Sequence, residues 1–150
     1  MSSVSYKTSC TRENLKNIRN FVDEAIMDMG LDEILNNQII LAVDEICANL
    51  IIHVHETTPQ DIIVIDIVYL EEGVLFEIVD TKTTYFDFSK YQKPNLEDIK
   101  ISKRKGGMGL ILVNTIMDEV DVFSDETVTI WRLYKHLPHL KISEEKNEKI

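Results

Sequence analysis

Three polar side chains recur at four-residue steps in an otherwise apolar stretch: Glu45, Asn49 and His53. On a helix that spacing places all three along one face. A glutamate there can take a proton from a hydroxyl or a water. An asparagine oxygen is a hard ligand suited to Mg²⁺, which binds through oxygen and keeps several of its waters. Burying a carboxylate and a carboxamide without partners costs a few kcal/mol, so inside the protein such a pair must be hydrogen-bonded or face a cavity. The same spacing also fits a solvated helix face. Two further places could do chemistry. Asp80 closes the run Phe76-Glu77-Ile78-Val79, and a carboxylate at a strand end in an apolar pocket selects ligands that bring a donor, because other ligands leave it unpaired. It fits a turn residue equally well. Gly106, Gly107 and Gly109 surround Met108 ahead of the apolar Leu110-Ile111-Leu112-Val113. Glycines let a backbone approach phosphate, and the helix that follows offers free amide groups. A Gly-Gly-x-Gly is also an ordinary way into a helix.

The elements that must position these residues follow from hydrophobic period. Residues 3–9 alternate weakly and predict a short first strand. Thr11 is read as a helix cap, with Leu15, Ile18, Val22, Ala25, Ile26 and Met29 as one apolar face and Gly30 as the stop. A second helix is predicted over residues 32–55, where Ile39, Val43, Ile46, Leu50 and Val54 form the buried stripe before Thr57-Thr58-Pro59. Residues 61–70 alternate Ile63, Ile65, Ile67 and Tyr69 with Ile62, Val64, Asp66 and Val68. With Glu71-Glu72-Gly73 as a turn and residues 74–80 as the return strand, they predict an antiparallel hairpin. Residues 81–107 show little period and read as a long loop. A short helix over 108–117 and strands over 119–124 and 127–134 complete the order. Antiparallel strands with helices gathered on one face give an α+β two-layer sandwich with a mixed, mostly antiparallel sheet. Residues 1–140 form one domain, and the mostly charged residues 141–150 form a tail.

Bulk properties narrow the function. The chain has 150 residues, 44% of them hydrophobic, enough for one core without disulfide or metal. Sixteen basic against 26 acidic side chains give a net charge of -10, which opposes direct binding to a nucleic-acid backbone. Cys10 and Cys47 form no Cys-x-x-Cys and read as reduced thiols of a cytosolic protein. No basic stretch leads into an apolar run at the N-terminus, and no apolar segment is expected to reach the roughly 20 residues that cross a bilayer. The expectation is a cytoplasmic protein with no membrane contact.

Residues 41–53, Leu-Ala-Val-Asp-Glu-Ile-Cys-Ala-Asn-Leu-Ile-Ile-His, resemble the N-box of the anti-sigma regulatory serine/threonine kinases, members of the ATPase superfamily shared with gyrase, Hsp90, histidine kinases and MutL. Residues 76–80 resemble the strand whose aspartate accepts the adenine amino group, with Phe86-Asp87 matching the pair that follows. Residues 106–113 resemble the second glycine box. The three segments fall in the family's order, and the resemblance spans residues 11–134. It implies a Bergerat (GHKL) fold binding ATP and Mg²⁺, with Glu45 as general base and Asn49 as the Mg²⁺ ligand. It further implies a nucleotide site of Asn49, His53, Asp80, Lys82, Phe86, Gly106, Gly107, Met108, Gly109, Leu110 and Thr129, and a lid over residues 89–106.

The implied activity is transfer of the ATP γ-phosphate to a serine or threonine of an anti-sigma-factor antagonist with a STAS domain. The unphosphorylated antagonist competes with a sigma factor for the kinase, regulating transcription by partner switching, and such kinases commonly form homodimers. This chain departs from the pattern in three places. Lys82 stands where the first glycine box has a glycine, adding bulk beside the nucleotide or a cation for its phosphate. Met108 occupies a position that is often Arg. Either Thr127 or Thr129 fits the adenine-side threonine. The alternative that Lys82 raises is a binding module that keeps the fold without catalysis and acts as a stoichiometric switch.

Overall fold

A computed structural model describes residues 2–56, 58–81 and 108–138. The order is β1 (Ser3–Ser9), α1 (Asn14–Ile26), a 3₁₀ turn (Met27–Met29), α2 (Glu33–Asn49) running into a π turn (Leu50–Val54), β2 (Ile62–Leu70), β3 (Gly73–Thr81), α3 (Met108–Ile116), β4 (Glu119–Ser124) and β5 (Val128–His136). The five strands make one sheet in the order β1-β2-β3-β5-β4, and all four ladders are antiparallel. The α+β two-layer sandwich is therefore as the sequence predicts.

The strand period decides which face is covered. Ile63, Ile65 and Ile67 of β2, Val74, Phe76 and Ile78 of β3, and Trp131 and Leu133 of β5 point to one side. There they are buried against Ile18, Val22 and Ile26 of α1, Ile39, Val43 and Ile46 of α2 and Val113 of α3. This is the main core. Burying one such side chain contributes roughly 1.5–3 kcal/mol, so the stacked isoleucines of β2 and β3 are a large part of what fixes the helices on the sheet. The next residues along, Val79, Val128 and Ile130, form a second cluster with Val64 and Phe123 on the other face. α1 packs over β1, α2 over β3 and α3 over β4, and α1 and α3 both pack on α2. The N-box helix is thus the middle helix of its layer.

A side-chain cap sets the start of α2, and turns set the other boundaries. The Asp32 side chain accepts from Leu35 N at 2.7 Å and starts α2. Gly30, with φ 70°, closes the preceding 3₁₀ turn in the left-handed region that glycine adopts without strain. Thr11 does not cap α1 as expected. Its hydroxyl accepts from Asn14 Nδ2 at 2.9 Å and its carbonyl from Asn14 N at 3.0 Å, so it opens a turn and the helix begins at Asn14. Gly73 belongs to β3 and not to the turn, because a Cβ there would lie 2.5 Å from Lys135 O in the adjoining strand. Thr127 leaves β5 for a turn in which the Asp125 carboxylate accepts from Thr127 N, Thr127 Oγ1 and Val128 N at 2.8–2.9 Å.

The second helix corrects two expectations. Its continuous run Glu33–Val54 is 22 residues with a hydropathy of 1.3, so one segment does reach membrane-spanning length and composition. In the fold it lies on the sheet between the other two helices. Its last turn is π, with His55 N donating to Leu50 O at 2.9 Å. A bond to the fifth residue back delays the inward-facing position by one. Val54, predicted in the buried stripe, is consequently 56% exposed, and His55 takes the inner place at 3%.

Candidate nucleotide site

The site is built from the far flank and the end of α2. Asn36 donates to Asp23 at 3.2 Å and Arg19 pairs with Asp44 at 3.1 Å, which marks the α1 side of the helix. At roughly 100° per residue, Glu45 stands half a turn round from Asn36, with Asn49 close behind it. Both therefore lie on the flank turned from α1 and toward α3. Glu45 is half-buried, while Asn49 and His53 are exposed. The pair is thus not enclosed by the described residues. A glutamate carboxylate in such a place can accept a proton from a hydroxyl brought to it.

Asp80 sits at the end of β3 beneath the last turn of α2. It is 1% exposed, so it is no turn residue, and its Cα is paired with Ile63 on one side and Thr129 on the other. That register separates the two threonines. Thr129 is buried beside Asp80 and shares a hydrogen bond of 2.8 Å with Ser124 Oγ, while Thr127 is held in its exposed turn. Leu110 of α3 is half-buried against the core, and Met108 and Gly109 form the first turn of α3. Lys82, Phe86, Gly106, Gly107 and the lid segment 89–106 lie outside the described residues, as do residues 139–150 with the charged tail.

The structure adds a group that helical spacing does not reveal. His55 Nε2 meets Asp80 Oδ1 at 2.5 Å, and Nδ1 meets Asp61 Oδ2 at 3.1 Å and Thr58 Oγ1 at 3.2 Å. Asp61 is also buried, at 6% exposure. An ionised carboxylate only accepts, whereas the Thr58 hydroxyl can donate or accept, so the ring is held by three oxygens on its two nitrogens. Cys10 stands beside the same two carboxylates: burial first, then Asp80 and Asp61, push its thiol up to about 12. Burial likewise raises Cys47, with Asp44 adding to it. Both are unpaired, buried thiols. A cavity of about 210 Å³ reaches His55 from the β1–α1 turn, between Cys10, Arg12, Ile51 and Pro59. Only an alternation misplaced by the π turn hinted at His55 in the sequence, as the second histidine of His53-Val54-His55.

The donors fit a nucleotide with its cation. Asn49 offers an exposed amide oxygen, and Asp80 a buried acceptor one to two turns away. Among the described residues no three His, Cys, Asp or Glu side chains are grouped to hold a metal. A cation at Asn49 would need phosphate oxygens and water for the rest of its shell, as Mg²⁺ commonly does.

Comparison with known proteins bears on the family and the fold. Residues 8–135 match the family described as Histidine kinase-like ATPase domain. An anti-sigma F factor of Heyndrickxia coagulans is 29% identical over 127 residues, covering 83% of this chain and 84% of that protein. One from Bacillus cytotoxicus is 31% identical over 114 residues, covering 75% and 76%. The crystal structure of the RsbU and RsbW domains of a Mycobacterium tuberculosis protein shares the fold with a TM-score of 0.64 at 16% identity, over 91% of this chain and 33% of that one.

Proposed function

Since the chain belongs to the histidine kinase-like ATPase family, among its anti-sigma regulatory members, we propose that it is a cytosolic Mg-ATP-dependent kinase that phosphorylates a serine or threonine of a STAS-domain antagonist. The observation that carries this reading is the placement of Glu45 and Asn49 on the α3 flank of α2, with Asp80 and Thr129 at the foot of the same helix. Phosphoryl transfer depends mainly on positioning and charge neutralisation. Glu45 accepts the proton of the attacking hydroxyl, Asn49 holds the cation side of the phosphates, and Asp80 accepts from the adenine amino group. Mg²⁺, when bound, supplies the charge that offsets the phosphates. The sigma factor and the antagonist would compete for one face of the protein, which acts as a homodimer.

A second reading rests on Lys82, which occupies the place of a glycine next to the nucleotide. In it the fold is retained as a stoichiometric switch without transfer. Glu45→Gln separates the two. The amide keeps the shape and loses the basicity, so the variant is expected to bind Mg-ATP nearly as wild type while transfer to a serine substrate falls by about 10²–10⁴-fold. Unchanged turnover would remove Glu45 as base. No turnover in the wild type, with ATP binding intact, would favour the switch.

A further inference from the structure

We propose that His55, backed by Asp61, is a positioning residue that sets the Asp80 carboxylate for recognition of a 6-aminopurine. The inference rests on the assignment of Asp80 to the base made above and adds a determinant outside the N-box stripe and the glycine boxes. A carboxylate presents about four lone-pair sites, and which of them faces a ligand depends on the plane of the group. Asp80 is 1% exposed, so water is not available to settle that plane, and the ring of His55 meets Oδ1 at 2.5 Å.

The ring is itself fixed from behind. Nδ1 meets both Asp61 Oδ2 and Thr58 Oγ1. Backbone bonds tie the same residues together: Thr58 N to His55 O at 3.1 Å, Asp61 N to Thr58 O at 3.1 Å, and Cys10 N to Asp61 O at 2.9 Å. The π turn that ends α2 is what brings His55 inward, and an insertion of this kind in a helix is frequent at functional sites. A buried hydrogen-bonded network also adds to stability, and nucleotide preference read beside unfolding separates that contribution from positioning.

Wild type, His55→Leu, His55→Gln and Asp61→Asn are titrated with Mg-ATP and with Mg-purine riboside triphosphate, which lacks the 6-amino group, and each variant's folding is checked by urea denaturation. Wild type is expected to prefer ATP. His55→Leu should lose on the order of tenfold of that preference, the equivalent of one oriented hydrogen bond, with the analogue's affinity little changed. His55→Gln keeps an N–H toward Asp80 and should retain more of the preference than His55→Leu. Asp61→Asn should fall between wild type and His55→Leu. Full preference in folded His55→Leu, or an equal loss for both nucleotides, overturns the inference and leaves the site assignment standing. If His55→Leu does not fold, Asp61→Asn decides, and a wild-type preference in it overturns the inference. A wild type that binds neither nucleotide overturns the site assignment, and this inference with it.

Discussion

Lys82 is the residue on which nucleotide binding turns, because it follows β3 two positions after Asp80, where the family pattern has a glycine. A buried carboxylate needs a use or a partner, and Asp80 is far more enclosed than Glu45 or Asn49. Asp80 has that partner in His55, so the test of a retained base pocket falls on Lys82. Where the ammonium of Lys82 pairs with a phosphate, Lys82→Gly is expected to weaken binding of an ATP analogue with Mg²⁺ by about 1–3 kcal/mol, the range of a charge-assisted hydrogen bond. Calorimetric titration reads the sign. Tighter binding in the glycine variant would mean that the side chain obstructs the pocket instead.

At the scale of elements, the end of α2 is where local geometry departs from simple periodicity. The π turn makes a sharp contrast testable. Val54→Asn changes an exposed residue and should shift stability by no more than about 0.5 kcal/mol. Ile46→Ala empties a position that is 2% exposed and should cost about 2–5 kcal/mol. Urea unfolding of the two variants checks this, and a large loss from Val54→Asn would mean that the helix continues as α. The same turn shows what was legible in the sequence. Strict alternation in β2 gave both faces of the hairpin, and Gly30 gave the stop before α2, because pleating and a left-handed helix end favour particular residue types, whereas Thr11 has the type of a cap and opens a turn instead. A five-residue hydrogen bond leaves no period of its own. Val54 was consequently expected inside, and His55 with its two carboxylates went unseen. That Thr129 lies beside Asp80 while Thr127 sits in an exposed turn shows only in the strand register, which depends on pairing between β3 and β5 and not on either sequence alone.

Over the whole molecule, the sheet order β1-β2-β3-β5-β4 puts the central strand β3 under the middle helix α2, so the end of one meets the end of the other. Residues far apart in sequence converge there: His55 just past the π turn of α2, Asp61 ahead of β2, Asp80 from β3 and Thr129 from β5. The match over residues 8–135 covers all of these, and a net charge of -10 makes a cation among the phosphates all the more necessary for binding an anionic nucleotide. The most direct test is a calorimetric titration of the full chain with a non-hydrolysable ATP analogue, with and without Mg²⁺. One nucleotide per chain is expected, with affinity on the order of tenfold higher when Mg²⁺ is present, since the metal offsets the phosphate charge beside Asn49. No saturable binding under either condition, or an affinity indifferent to Mg²⁺, would contradict a Mg-ATP site built on this helix.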